Sequence, residues 1–277
     1  KAGKHVVMVN VEADVLAGAA LAREAASAGV VYTMAYGDQP ALTAEIVDWA
    51  RSCGFEVVCA GKGTKYRPHY HQSTPETVWE YMGFDPAQAV LRPLNEGGVL
   101  ERKGTVETVS SEERDGRPVF RDLRWGVYAV FEAPNDYAAA CFRQYGMNTD
   151  KSGRYSAMYK PFHLIGMELN ISILSAALLG QATGSTKAFS GDVVATAKRD
   201  LVAGETLDGE GGYCVWGKLI PAATSVSLGA LPIGLAQDVT VIRKVPMGAV
   251  VTCADVSLPA HDPVVAYRKQ MEAAFTG

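Results

Sequence analysis

Over the first eighty residues the apolar positions fall into short unbroken runs, separated by stretches of helical spacing. The runs are HVVMVN (His5–Asn10), VVYTMAY (Val30–Tyr36) and FEVVCA (Phe55–Ala60). Each has the length and continuity of a strand buried on both faces. Between them the spacing predicts a helix over Val15–Ala28, capped by Asp14 and ended by Gly29, and a second opened by Pro40 and closed by Gly54. Pro75 begins a further short helix in PETVWEYM. This β-α-β-α-β-α order predicts an α/β fold with a parallel sheet over residues 1–88. Ligands in such sheets bind beyond the carboxyl ends of the strands. Those ends are Asn10–Asp14, Tyr36–Pro40 and Gly61–Tyr66.

Beyond Leu100 the rhythm changes. Residues 103–134 alternate in β fashion around Asp115-Gly116, a hairpin signal. A short helix is expected over Asp136–Gln144, then a polar loop, then a strongly apolar helix over His163–Leu179. Residues 89–186 therefore read as a mixed α+β domain. AKRDLVAGETLD (Ala197–Asp208) and IRKVPMGAVVTCADV (Ile242–Val256) look like two copies of one unit: basic residue, short β run, Gly turn, β run, Asp. Residues 187–277 are accordingly expected to form a separate small β-rich module.

Composition narrows the function classes. A net charge of −4 and a pI near 5.8, with Lys and Arg scattered, carry no nucleic-acid footprint. No apolar run reaches 18 residues, so no membrane helix is expected, and the first ten residues read as a strand with no signal-peptide core. The five cysteines are widely spaced with no C-x-x-C pair, which suggests a reducing, cytoplasmic setting. Cys59 reads as a small hydrophobe in a strand.

The candidate chemistry lies at the strand ends. No G-x-G-x-x-G opens a helix after a strand, and Gly61-Lys62-Gly63 fails as a P-loop. His69 and His71 lack a Cys or carboxylate at metal-ligand spacing and read as exposed loop histidines. Lys62 and Lys65 are two lysines within four residues at the end of a parallel strand. Such a local positive field suits a phosphate or carboxylate, or an oxyanion formed at a carbonyl. Two solvated loop lysines remain the plain alternative. Arg154, Tyr155, Tyr159, Lys160 and His163 crowd one turn-rich stretch, in which His163 is open as proton donor, substrate contact or helix cap. Glu168 and Asn170, in an otherwise apolar helix, are costly to bury unless paired.

Several phrases carry a resemblance. GKHVVMVN (Gly3–Asn10) resembles the fifth strand of homoserine-dehydrogenase-like Rossmann domains, whose terminal Asn contacts the nicotinamide. VVYTMAYGDQP resembles the next strand and its Gly/Pro loop. AYGDQP, GFEVVCAGKGTKY, EGGVLERKG, DLRWGVYAVFEAPNDY, YKPFHLIG and GGYCVWGKL together resemble the bacterial homoserine dehydrogenase-like proteins that carry a terminal SAF domain. Some members of that family are the second, divergent type of 1-deoxy-D-xylulose 5-phosphate reductoisomerase, an NADPH enzyme of isoprenoid precursor synthesis.

The resemblance implies the second half of a Rossmann-type parallel sheet, a mixed α+β catalytic domain and a SAF-like module. It also implies that the sequence joins segments of a longer chain, because the family's glycine fingerprint and an insert after Gly83–Gln88 have no counterpart here. Asn10, Gly37 and Pro40 take the cofactor-contacting places. The family's lysine after the Asn is replaced by Val11 and Glu12, so Lys62 or Lys65 would supply the charge, with Asp38 or Glu12 orienting a lysine or binding hydroxyls. Arg154, Tyr159, Lys160 and His163 would hold a small phosphorylated, sugar-like substrate. The acidic metal triad of standard reductoisomerases is not recognisable, so no metal ligand is named and a divalent-metal requirement stays open. A homo-oligomer, most simply a dimer, is expected, with neither nucleic acid nor membrane as partner. Two other readings stand beside this one: a dehydrogenase of homoserine or a related hydroxy compound, and a non-catalytic carbohydrate-binding or regulatory protein.

Overall fold

The computed structural model describes residues 2–63, 74, 76, 105–109 and 126–275. In chain order the elements begin β1 (Val6–Met8), α1 (Val11–Ser27), β2 (Tyr32–Met34), α2 (Gln39–Ser52), β3 (Glu56–Gly63) and β4 (Thr105–Val109). They continue β5 (Val127–Glu132), α3 (Asp136–Gln144), β6 (Tyr155–Lys160) and α4 (Leu169–Leu174), the last prolonged by a π turn over Ser175–Leu179. The final elements are β7 (Gly191–Ala197), β8 (Thr206–Asp208), β9 (Val215–Pro221), α5 (Ala222–Leu228), β10 (Gln237–Val241), β11 (Val256–Ser257) and α6 (Pro263–Phe275). Among the described residues the architecture is mixed α/β. The hairpin signal at Asp115-Gly116, the helix opened by Pro75, and Lys65, His69 and His71 all lie outside the described residues.

Two compact units divide the chain, one of residues 1–32, 69–81 and 186–277, the other of 33–68 and 82–185. The second unit is built on a four-stranded mixed sheet in the order β4-β3-β5-β6. β3 runs parallel to β4 but antiparallel to β5, and β5 is antiparallel to β6. The expected parallel sheet is therefore corrected in part: β1 and β2 form a separate two-stranded sheet, and β3 belongs to the mixed one. An apolar run buried on both faces fits either strand direction, so its composition does not encode which neighbour it takes.

Register decides which side chains share a face. Lys62 stands opposite Val127, and Val127 opposite Lys160. Directly paired residues project to the same side, so this row shares a face with Ala60, Ala129 and Met158. That face packs against α2 through Leu42 and Ile46, both at or near full burial; each such side chain contributes about 1.5–3 kcal/mol. The same layer continues into an aromatic cluster, where Phe55 stacks on Phe131 with centroids 5.1 Å apart and Phe142 of α3 meets both rings edge-on. The opposite face carries Cys59, Tyr128, Val130, Ala157 and Tyr159.

The first unit joins α1 to the C-terminal part of the chain. Its helix starts earlier than expected, because Asn10 rather than Asp14 is the cap: Asn10 Oδ1 accepts the Ala13 N–H at 2.7 Å. Asp14 instead accepts the Tyr32 and Thr186 hydroxyls, each at 2.7 Å. Ala19 and Ala20 of α1 pack with Phe189, Ala222 and Met271. Beside them Arg268 is almost fully buried. It donates to Asp192 Oδ2 at 2.5 Å, to Glu272 at 2.7 Å and to the Leu16 carbonyl at 3.0 Å.

The two sequence copies meet as an approximate two-fold pair. Leu201 and its equivalent Val245 exchange backbone hydrogen bonds of 2.8 and 3.1 Å. The Gly204 N–H donates to the Val241 carbonyl, and the equivalent Gly248 N–H donates to the equivalent Ala197 carbonyl, both at 2.8 Å. Gly204 and Gly248 both adopt positive φ, +93° and +83°. A shared core of Leu201, Leu207, Leu231, Val241, Val245 and Val251 fills the space between the copies.

Candidate functional site

The chain leaves β2 through Tyr36-Gly37-Asp38-Gln39 and enters α2 at once. Asp38 caps that helix, accepting the Gln39 N–H at 2.8 Å, and Pro40 sits in the first turn, where its missing N–H costs nothing. Backbone anchors hold the turn in place. The Tyr36 N–H donates to Ser172 Oγ at 2.8 Å, and the Met34 N–H donates to the Gly184 carbonyl at 2.8 Å. Gly37 has φ +91°, and a Cβ there would lie 2.7 Å from the Leu164 carbonyl oxygen and 2.9 Å from Glu168 Cβ. Only glycine fits this close approach.

Both lysines of the shared sheet row meet this turn. Lys62 Nζ donates to Gln39 Oε1 at 2.5 Å. Burial pushes the Lys62 ammonium below the ordinary lysine range, opposed only in part by the Asp38 carboxylate. Lys160 Nζ donates to the Tyr36 hydroxyl at 3.0 Å, lies 4.6 Å from the centroid of that ring and stands 3.7 Å from Glu168 Oε1. Burial alone would lower Lys160 too. The hydrogen bond to Tyr36 and the charges of Glu168 and Glu45 outweigh it, so this ammonium is held above its usual value. The Tyr36 phenol donates to Glu45, whose oxygens lie at 2.8 and 2.9 Å. Two lysines on one face thus sit in environments that push their proton affinities apart, Lys62 downward and Lys160 upward. Their strands lie two spacings apart, which puts the two Cα atoms about 10 Å from each other.

The segment after β6 closes over the turn. His163 Nδ1 lies 3.2 Å from the Gly37 carbonyl oxygen, which can only accept, so Nδ1 carries the proton in this contact. Glu168 Oε2 accepts the Leu164 N–H at 3.0 Å while its other oxygen faces Lys160. The polar residue that looked costly in an apolar helix is thus paired. The helix itself begins only at Leu169, not at His163, because 163–168 is spent on this turn.

The structure gathers Lys62, Lys160, Asp38, Gly37, Pro40 and His163 around one turn. It puts Tyr159 on the opposite face of the sheet and Arg154 at the far end of β6, where it pairs with Asp136 at 3.1 Å and Glu132 at 3.5 Å. Asn10 and Glu12 belong to the other unit, Asn10 as a helix cap and Glu12 exposed in the first turn of α1. Among the described residues no group of three or more His, Cys, Asp or Glu side chains could hold a metal. No helix there is long and apolar enough to cross a membrane.

Three partners escaped the sequence reading: Tyr36, Gln39 and Glu45. Tyr36 and Gln39 sit inside the YGDQP phrase at a strand end, which was signal enough to include them. Glu45, one turn further into α2, shows its role only through Tyr36.

Residues 37–85 and 81–169 match the family model of the catalytic domain of Oxidoreductase DRL. No curated protein matches the chain. Gly37, Asp38, Gln39, Lys62, Lys160, His163 and Glu168 all fall within the matched residues, and the similarity supports an oxidoreductase function for this chain.

Proposed function

We propose that the chain is a nicotinamide-dependent reductase of a small anionic carbonyl compound, with 1-deoxy-D-xylulose 5-phosphate as first candidate and NADPH as donor. One observation carries the reading: the row Lys62–Val127–Lys160, in which the Lys160 ammonium is held above its usual value and burial pushes that of Lys62 below it. The similarity to an oxidoreductase catalytic domain supports the reaction class.

With this substrate the carbon skeleton first rearranges to an aldehyde, and reduction of that carbonyl then adds a hydride to carbon and a proton to oxygen. The nicotinamide supplies the hydride when bound. Gly37 and Pro40 of the turn would contact the cofactor, and a side chain at 37 is excluded by Leu164 and Glu168. Lys62 supports the second half of the step: its ammonium hydrogen-bonds the forming oxyanion, gives up the proton and remains as an amine, which its buried setting favours. Lys160 offers a charge that stays constant through the cycle and suits a substrate phosphate or carboxylate. Gln39 aims Lys62, and Tyr36 with Glu168 aims Lys160.

The test is oxidation of NADPH, followed at 340 nm, with 1-deoxy-D-xylulose 5-phosphate as substrate. Steady turnover establishes reaction and substrate together. Reduction of NADP+ at 340 nm by homoserine or another unphosphorylated hydroxy compound, with no NADPH oxidation by the sugar phosphate, transfers the proposal to the dehydrogenase reading. Absence of any nicotinamide binding by the full-length protein overturns both.

A further inference from the structure

α4 buries the residue that its composition would lead one to expose. Within Leu169–Leu174 the one fully buried side chain is Ser172, while Ile171, Ile173 and Leu174 are 46%, 44% and 55% exposed. A buried hydroxyl is costly unless it is bonded, and alanine is the better helix former. What the serine adds over alanine is its hydrogen bonds.

Those bonds are complete. Ser172 Oγ accepts the Tyr36 N–H at 2.8 Å, meets Thr183 Oγ1 at 2.6 Å and donates to the Met34 carbonyl at 3.2 Å. A hydroxyl has one proton and two lone pairs. Spending the Ser172 proton on Met34 leaves one lone pair for the Tyr36 N–H and one for the Thr183 hydroxyl. Thr183 is held in turn: its N–H donates to Thr33 Oγ1 at 3.0 Å, and Thr33 Oγ1 donates to the Gly184 carbonyl at 3.2 Å. A Cβ on Gly184 would lie 3.0 Å from the Ala41 carbonyl oxygen, so this loop runs directly against the first turn of α2. A buried polar network with every member satisfied is rigid, and what this one grips is the end of β2, just before Gly37.

We infer that Ser172, itself held by Thr183, is a positioning residue: it fixes the Tyr36 peptide and so sets where the Tyr36 phenol meets Lys160. The inference rests on the reductase reading above, in which Lys160 receives the anionic end of the substrate. Among the described residues the Tyr36 N–H has no acceptor other than Ser172. Gln39, which aims Lys62, depends on it less, because the Asp38 cap and the packing of Leu42 and Ile46 secure the start of α2. Loss of the Ser172 hydroxyl should therefore weaken substrate binding while sparing proton donation by Lys62.

The experiment is NADPH oxidation by the full-length protein with 1-deoxy-D-xylulose 5-phosphate, the parent beside Ser172→Ala, Thr183→Val and Thr183→Ser. A buried N–H left unpaired is worth about tenfold or more, so Ser172→Ala should raise KM about tenfold while kcat stays within about threefold. By the same loss its Tyr36 amide should exchange hydrogen at least about tenfold faster, with circular dichroism unchanged. Thr183→Val removes the supporting hydroxyl and should raise KM in the same direction; Thr183→Ser keeps the hydroxyl and should rescue it. If Ser172→Ala fails to fold, the Thr183 pair decides by the same criterion. An unchanged KM or an unchanged Tyr36 exchange rate in Ser172→Ala overturns the inference alone, as does a kcat that falls in its place, or Thr183→Ser behaving like Thr183→Val. A parent without turnover removes the reductase reading, and the inference with it.

Discussion

Replacing Lys62 is the most direct probe of the site. Its ammonium is part-buried, donates to Gln39 Oε1 at 2.5 Å and is held below the ordinary lysine range by burial. A positioned general acid contributes about 10²–10⁴ in rate, so Lys62→Ala should lower kcat at least about a hundredfold, close to 2.7 kcal/mol of transition-state stabilisation. The pH profile separates proton transfer from simple charge. The acid form is ammonium, and it disappears as pH rises through the lowered value. The parent's reductive kcat should therefore fall on the alkaline side below 10.5, the usual lysine figure. Lys62→Arg keeps the charge but cannot release the proton in this range; it should retain substrate affinity, lose most of kcat and lose that alkaline limb. Gln39→Glu places a carboxylate on the ammonium and should move the limb to higher pH. The assay is steady-state NADPH oxidation from neutral to alkaline pH. Near-normal kcat in Lys62→Ala, or an unchanged alkaline limb in Lys62→Arg, would refute the proton-donor role.

Three further expectations concern the scaffold. Arg268→Ala strips the partner from Asp192, a carboxylate with no exposed side-chain surface, and should cost about 3–5 kcal/mol in urea unfolding; Arg268→Met with Asp192→Asn should recover most of it, because the uncompensated charge is gone. Gly37→Ala should cost about 1–3 kcal/mol from backbone strain alone. Because the added carbon meets Leu164 and Glu168, its activity should fall more than its secondary structure by circular dichroism. Burial pushes the Asp255 carboxyl up, but its bonds from Thr252 and Arg243 outweigh this and hold it below 3.8. Its contribution is therefore complete above the unfolded value and is lost as pH falls through the folded one. Asp255→Asn should flatten the acid side of the stability curve, measured by thermal unfolding from roughly pH 5 to pH 2.

Local signals in the chain were enough for helices whose ends are chemical. Asp136–Gln144 begins and ends where its pattern puts it, with Asn135 Oδ1 accepting the Ala138 N–H. The paired copies near 197–208 and 242–256 were visible as a repeat because their basic, β and glycine positions recur at one offset. What escaped was whatever depended on a distant partner. Asp14 looks like a cap until Tyr32 and Thr186 claim it, which leaves Asn10, in extended conformation, to start the helix. The apolar run from His163 looks like one helix until Gly37, more than a hundred residues earlier, draws its first turn away. Lys62 was legible at its strand end. That Lys160 stands in the same row, and that Tyr159 next to it faces the other way, needed the register of β5 between them.

The two-fold pairing of the C-terminal copies has a consequence for how that module can misassemble. Equivalent residues touch one another across the axis, Leu201 against Val245 and Asp200 against Lys244. That is the contact two identical subunits would make. The core is shared between the copies, so either one alone would leave its apolar face open. The Asp200–Lys244 pair distinguishes the copies: a position that would set like against like between two identical copies here sets acid against base, at 3.1 Å. It favours pairing of unlike copies over pairing of like ones, whether the partner copy lies in the same chain or in a neighbour.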